Sequence, residues 1–431
     1  MTTAILILLI TFVVLLLLNV PVAFCLGLAT VFTMLASIDV MPAASTAAQR
    51  LATGLDSFTL LAIPFFILSG YIMGKGGIAR RLINFALALV GALPGGLAFV
   101  NIVACMLFGS ISGSAIATTA AIGSFMHPKM VENNYSPQFS AAINIASSTT
   151  GLIIPPSNVL IVYSLASGGV SIAALFVAGY LPGLLLGGAL MIVAGVWAHR
   201  KGFGRGVRLP LRQVFRHFVD AVLGLSLVVI VIGGIVGGIF TATEAAAVAV
   251  IYSLILSMLI YREVKVSDLS DILTDSIVTT AVVMLLIGTS MGLSWVLSYE
   301  NIPQSIATAL VAVSHHGVVL LLIINAILLV VGIFMDMTPA ILIFTPIFLP
   351  VAVEVGVDPV HFGILMVFNL CIGLTTPPVG TVLFAGAGVA KVPITDIIRP
   401  LLPLYLAMLV CLMLVTFLPE ITLFLPRLLG L

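Results

Sequence analysis

Helix-breaking residues recur in this chain at one fixed distance, inside stretches otherwise apolar enough to lie in a membrane. Pro128 is matched by Pro350, Pro137 by Pro359, Gly151 by Gly373, and Pro155-Pro156 by Pro377-Pro378, each 222 residues further on. A proline removes a backbone donor and disfavours helix in the residue before it, so each pair splits the helix that carries it. Broken backbone at membrane depth is tolerated only where protein buries it or a cavity faces it. The agreement of five positions at one offset reads as an internal duplication. Corresponding breaks in two apolar halves are the sequence pointer to a transporter binding site near the bilayer midplane.

The membrane premise comes from composition. Of 431 residues, 61% are hydrophobic and 7% charged, against roughly 25% charged in soluble domains. Many apolar segments reach the roughly 20 residues that a spanning helix needs. A soluble enzyme is excluded, since no polar surface exists to cover its core. A net charge of +1 gives no case for nucleic-acid binding. Cys25, Cys105, Cys371 and Cys411 stand singly in apolar stretches, with neither a disulfide framework nor metal-ligand spacing. The N-terminal segment lacks the basic region of a cleaved signal peptide and reads as the first span.

The chain is therefore expected to be an all-α polytopic membrane protein with about ten spans and two re-entrant helical hairpins. Spans are expected near residues 4–18, 20–37 (with a bend at Asn19-Val20-Pro21), 57–74, 138–166, 171–199, 219–240, 242–262, 273–297, 360–389 and 400–424. A polar connection with Arg50 and Asp56 separates the second from the third. Residues 95–130 are cut centrally by GSISGS into arms of about 15 residues, too short to span, and 318–353 form a second hairpin tipped by GIFMDMTP. Short amphipathic helices at 76–90 and 302–314 suit the membrane surface. Gly179, Gly183 and Gly187 form a face for close helix packing.

Each half, 1–216 and 217–431, then holds five spans and one hairpin. Five is odd, so the second half is inverted relative to the first. With the basic loop at 200–216 in the cytoplasm, 14 of the 16 Lys and Arg residues fall inside, and only Arg50 and Arg427 outside. Orientation follows that bias, which places both termini outside.

Four half-helices are expected to begin near the midplane, at about Ser114, Pro156, Thr338 and Pro378. A helix N-terminus carries roughly half a positive charge and unpaired N–H groups, so four such ends favour an anion without a buried Arg or Lys. The opposite ends, with their free carbonyls, favour a small cation. Ser110, Ser112, Ser114, Asn144, Thr149, Thr150, Thr338, Thr375 and Thr376 can complete an oxygen shell, for which Na⁺ is the natural ion. The same hydroxyls could simply satisfy broken backbone. Asp336, the carboxylate of the second tip, is a functional candidate by its depth and a helix N-cap by its position. Thr241 and Glu244 have the spacing of a capping box, which explains Glu244 without a transport role. His127, His199, His217, His315, His316 and His361 fall at expected span ends. With no nucleotide motif, ion gradients must drive transport. One charge crossing 100 mV yields about 2.3 kcal/mol, and a 100-fold substrate gradient needs about 2.7 kcal/mol, so two or more cations suffice.

Six segments, IPFFILSGYIMGKGGIARRL (63–82), FGSISGSAIATTAAIG (108–123), IIPPS (153–157), FTATEAAAVAV (240–250), GIFMDMTPAILIFTPIFLP (332–350) and IGLTTPPVG (372–380), together resemble the large membrane subunit of tripartite ATP-independent periplasmic (TRAP) transporters. The resemblance covers nearly the whole chain. It implies an elevator-type transporter of the ion-transporter superfamily, with a transport core at about 95–166 and 318–389 sliding against a scaffold of the remaining spans. It implies Na⁺ symport of an organic acid such as a C4-dicarboxylate, sialic acid or a sugar acid across the bacterial inner membrane. It also implies two partners, a periplasmic substrate-binding protein and a small four-span membrane subunit, here a separate polypeptide. Carried over by position, the Na⁺ shells would involve Ser110, Gly151, Gly332, Thr338, Gly373 and Thr376. Ser112, Ser114, Ser157, Asn158, Asp336 and Thr381 would lie near substrate.

A self-sufficient Na⁺-coupled carboxylate symporter would share the hairpins and broken helices, but the motifs TATEAAAVA and MDMTPAILIFTP argue against it. An intramembrane enzyme would need a partner for Asp336, and a channel a continuous polar lining.

Overall fold

The computed structural model describes residues 2–18, 20–201, 210–313, 317–377 and 379–431, and all regular structure among them is helical. Asn19, most of the basic loop, His315, His316 and Pro378 lie outside the described residues. Among those described, eight helices are long and apolar enough to cross a membrane. They number nine when the pair Pro137–Ile153 and Asn158–Ala166, bent by 50°, counts as one span. Six expected spans coincide with helices of that length: Phe58–Lys75, Ile172–Lys201, Leu211–Val236, Ala242–Ile260, Val266–Tyr299 and Ile394–Phe417.

The first two helices, Thr2–Leu17 and Val22–Ser37, hold 16 residues each. At 1.5 Å per residue each is about 24 Å long, shorter than a bilayer core of about 30 Å. The connection after them differs from expectation. Residues Val40–Leu55 form a helix that packs against Leu269–Tyr299, with Ala43 fully buried. Its Ala-rich sequence has good helix propensity, and its Ser, Thr, Gln and Arg residues read as a loop only while the apolar stripe goes unnoticed.

In the first hairpin, Gly96–Ser112 and Ala115–Glu132 pack along each other. The turn is Gly113, with φ 61°, a left-handed conformation suited to glycine. The second hairpin joins Gly317–Phe334 to Met337–Glu354. The arms hold 17, 18, 18 and 18 residues rather than 15, so length alone does not stop them from spanning. What makes them hairpins is that each pair of arms turns back against a helix break, Gly113 beside Pro156 in the first and Gly332 against Gly373 in the second.

Those breaks form the axis of the molecule. Ten of the twelve residues of Pro137–Ser148 and thirteen of the fifteen of Pro359–Gly373 are buried, so neither helix is a lipid-facing span. The two broken helices touch directly: the Tyr163 hydroxyl donates to the Pro359 carbonyl at 2.6 Å, and Cys371 Sγ approaches the Thr149 carbonyl at 3.6 Å. The Thr241–Glu244 capping box forms as its spacing predicts, with Thr241 N donating to Glu244 Oε2 at 2.8 Å and Glu244 N to Thr241 Oγ1 at 3.2 Å. His361, expected at a solvated span end, is instead buried, its Nδ1 2.8 Å from the Thr422 hydroxyl of the C-terminal helix Glu420–Leu428.

Candidate functional site

Four helix N-termini converge on one cleft of about 440 Å³. They belong to Ala115–Glu132, Asn158–Ala166, Met337–Glu354 and Thr381–Ala390. Their first or capping residues, Ser114, Asn158, Asp336 and Thr381, all line it, with Ser112 and Thr338. The starts differ from the expected ones. Asn158 and Thr381 stand two and three residues beyond the positions read from the prolines. The described residues of each proline-containing segment are non-helical, and an extended Ser157 (φ −130°, ψ 126°) precedes the first of these helices. Helix resumes only after the constraint that proline places on its neighbours has passed.

The donor inventory suits an anion. Ser114 Oγ accepts from Ala117 N at 3.3 Å, an ordinary N-cap. Asp336 occupies the equivalent N-cap of the second tip without making a side-chain cap hydrogen bond. Asp336 is an exposed residue in the cleft wall, its carboxylate beside Met337 N and the Thr381 hydroxyl. Asn158 Oδ1 is a buried atom with no hydrogen-bond partner among the described residues. Unmet polar atoms at the wall of a cleft are costly unless a ligand or water completes them.

Ser157 is placed differently. It is buried, does not line the cleft, and its Oγ donates to the Leu152 carbonyl at 2.6 Å. Thr338, grouped with the cation candidates by resemblance, lines the cleft beside the substrate candidates.

The remaining cation candidates gather at two places where backbone crosses backbone. Gly109 of the first hairpin lies against Gly151 of the first break, so close that a β-carbon on either would fall on the other's main chain. Gly332 lies against Gly373 of the second break in the same manner, and a β-carbon on Gly332 would stand 3.1 Å from the Gly373 Cα. Beside the first crossing, Ser110 Oγ donates to the Leu107 carbonyl at 2.9 Å and Thr150 Oγ1 to the Ser147 carbonyl at 2.6 Å. Beside the second, Thr375 and Thr376 both donate to the Ile372 carbonyl, at 2.9 and 2.7 Å. A hydroxyl whose proton is held this way leaves its lone pairs free to face an ion. Asn144 is not of this kind. Its Nδ2 donates to the Thr119 carbonyl at 2.9 Å, tying the broken helix to a hairpin arm.

Sequence reasoning missed the opposite wall. Tyr71 and Lys75 of the helix Ala62–Lys75, and Thr279 of Leu269–Tyr299, also line the cleft. The Tyr71 hydroxyl lies 2.9 Å from Thr279 Oγ1. Neither helix carries a break, so no punctuation marked them. Sequence reasoning also missed Tyr405, whose hydroxyl donates to the Thr375 carbonyl of the second break, a contact set by helix packing alone.

The family model described as "Tripartite ATP-independent periplasmic transporter, DctM component" matches residues 9–421. An uncharacterized protein, YgiK, of Salmonella typhimurium is 55% identical over 97% of this chain and 96% of its own. The isethionate TRAP transporter permease protein DctMQ of Oleidesulfovibrio alaskensis is 43% identical over 96% of this chain and 65% of its own length. The C4-dicarboxylate TRAP transporter large permease protein DctM of Rhodobacter capsulatus is 39% identical over 97% of this chain and 98% of its own. The crystal structure of the Alcanivorax borkumensis YdaH transporter shares the fold, with a TM-score of 0.65 at 14% identity over 88% of each chain.

Proposed function

Because the chain belongs to the DctM family of TRAP transporter large permease subunits, and so is a multi-pass membrane protein and not an enzyme, we propose that it imports an organic acid across the bacterial inner membrane by Na⁺ symport. The observation that carries this reading is the convergence of four helix N-termini on one cleft. Each end presents unpaired N–H groups and partial positive charge, which suits an acid head group in a site lined by one carboxylate, Asp336. The substrates named for its relatives, a C4-dicarboxylate and isethionate, are both small organic anions.

The two glycine crossings are the proposed Na⁺ sites. Main-chain carbonyls freed by the breaks, with Ser110, Thr150, Thr375 and Thr376, offer the all-oxygen shell that a hard cation needs. Symport couples because each ion would fix a hairpin against the break beneath it, and both hairpin tips form the substrate cleft.

The hairpins and broken helices form the moving core of an elevator. The scaffold includes Ala62–Lys75 and Leu269–Tyr299, which face the core across the cleft. The two halves are inverted repeats, the basic loop and both ends of the first surface helix are cytoplasmic, and both termini are periplasmic. Transport takes place with a periplasmic substrate-binding protein and a small membrane subunit.

Uptake into proteoliposomes tests this. The chain and its small membrane subunit are reconstituted, and a panel of labelled organic acids is supplied with and without the binding protein, in a Na⁺ or a K⁺ gradient. Uptake that requires both Na⁺ and the binding protein is expected. Uptake by the chain alone would replace the tripartite reading with an autonomous symporter.

A further inference from the structure

Among the described residues that line the cleft, one is a cation, and neither hairpin supplies it. Lys75 ends the helix Ala62–Lys75 and lines the cleft together with Asn158, Asp336 and Thr381. Its helix contacts the first tip at Gly70, where a β-carbon would stand 3.0 Å from the Ser112 carbonyl oxygen. Lys75 is five residues further on, about 7.5 Å along the axis. A four-carbon stem, directed back along its helix, carries its ammonium most of that distance.

The neighbouring cations are committed elsewhere. Arg80 and Arg81 both pair with Glu263 at 2.8 Å, and Arg81 stacks over the Tyr261 ring at 3.6 Å. Lys75 is exposed and has no ion pair among the described residues. A lysine at a helix C-terminus is favoured by the helix dipole, but that explains neither its place in the cleft wall nor its freedom from Glu263.

We propose that Lys75 is the counter-ion for the second acidic group of a dianionic substrate, and so sets a preference for dicarboxylates over monoanions. This rests on the organic-acid reading of the cleft. One carboxylate is held by the helix N-termini of the hairpins and breaks. The other, at the far end of a short carbon chain, would approach Asp336 unless a cation drew it away. Lys75 supplies that cation from the scaffold side. The pairing therefore forms only when the hairpin tips stand level with the end of Ala62–Lys75, which makes it a contact of one end of the elevator stroke.

The test is titration calorimetry on the complex of this chain with its small membrane subunit, in lipid nanodiscs and NaCl, without binding protein. The probes are succinate, a dianion, and isethionate, a monoanion. The wild-type complex is expected to bind succinate more tightly. Lys75→Gln weakens succinate at least tenfold and isethionate less than twofold. Lys75→Arg, which keeps the charge, stays within threefold for both, and Lys129→Gln, outside the cleft, changes neither. Equal weakening of both probes by Lys75→Gln, no weakening of either, or a wild-type preference for isethionate overturns the assignment of Lys75 while leaving the cleft an anion site. Absence of binding of any organic acid to the wild-type complex sinks the organic-acid reading itself, and Lys75 with it.

Discussion

The two hairpin tips share a backbone plan and differ in chemistry. At the first, Ser114 closes its helix with a conventional cap to Ala117 N, and Ser112 Oγ lies 3.1 Å from Thr118 Oγ1. At the second, Asp336 stands at the cap position without a bond to the N2 or N3 amide, its carboxylate beside Met337 N and the Thr381 hydroxyl. The glycine crossings below them are similarly alike in plan, but only Gly332 leaves its partner room to give. Both halves carry the same frame of helix ends and glycine crossings. The first tip caps its own helix and the second holds a carboxylate at the cleft, while each break sets a polar side chain, Asn158 or Thr381, in the cleft wall.

The largest expected effect tests the frame. Gly109→Val, Gly151→Val and Gly373→Val each force main chain from main chain, and overpacking of this kind costs about 1–3 kcal/mol or more. These variants should fail to give a monodisperse peak in detergent chromatography. Gly332→Ala should fold, with a lower Tm, because its β-carbon meets the Gly373 Cα at 3.1 Å. Equal damage from Gly332→Ala and Gly151→Ala would show the two crossings to be equally tight, against the difference drawn here.

Next in size is the contrast between the tips. Asp336→Asn keeps shape and removes charge, and should cut uptake at least a hundredfold with little change in Tm. Ser114→Ala removes a cap worth about 1 kcal/mol, and should lower Tm while reducing uptake only a few-fold. If Asp336→Asn lowered Tm and spared uptake, Asp336 would be the structural cap and the asymmetry would disappear.

A smaller effect is expected at the proposed ion sites. Ser110→Ala and Thr376→Ala should each raise the Na⁺ concentration for half-maximal uptake by several-fold and lower the Hill slope. A shift in only one variant would confine the ion to that half, and neither shifting would leave both hydroxyls as backbone partners of Leu107 and Ile372.

What was legible in the sequence follows the same division. Pro155-Pro156, Gly113 and the hairpin tips were readable because proline and glycine impose local constraints that no tertiary contact reverses. Five of six substrate candidates reached one cleft for that reason, since Ser112, Ser114, Asn158, Asp336 and Thr381 all stand at breaks. Ser157, one residue away, turns inward to Leu152, a choice made by packing. Lys75 and Tyr71 carry no local signal, as their roles depend on which helix lies across the cleft, and Tyr405 depends on which helix packs against the second break. His361 was misplaced because its partner Thr422 is 61 residues away.

The smallest expected effect concerns the two short amphipathic helices. The first, Ile78–Val90, is held at its start by Arg80 and Arg81 on Glu263, and Gly77, with φ 69°, lies against that carboxylate. The second, Ile302–Val313, contains no charged residue and so has no comparable anchor of its own. The anchor is a surface one, with side-chain exposures of 58% for Arg80, 20% for Arg81 and 25% for Glu263, so each pair is worth no more than about 1 kcal/mol. Glu263→Gln should lower Tm modestly at low salt, somewhat more than a single pair would, because it leaves two adjacent guanidinium groups uncompensated. The difference from wild type should shrink as NaCl approaches 1 M, where the screening length is about 3 Å. A deficit that persists at 1 M salt would mean that the Arg81–Tyr261 stack and the fit at Gly77, rather than the ion pairs, hold this helix in place.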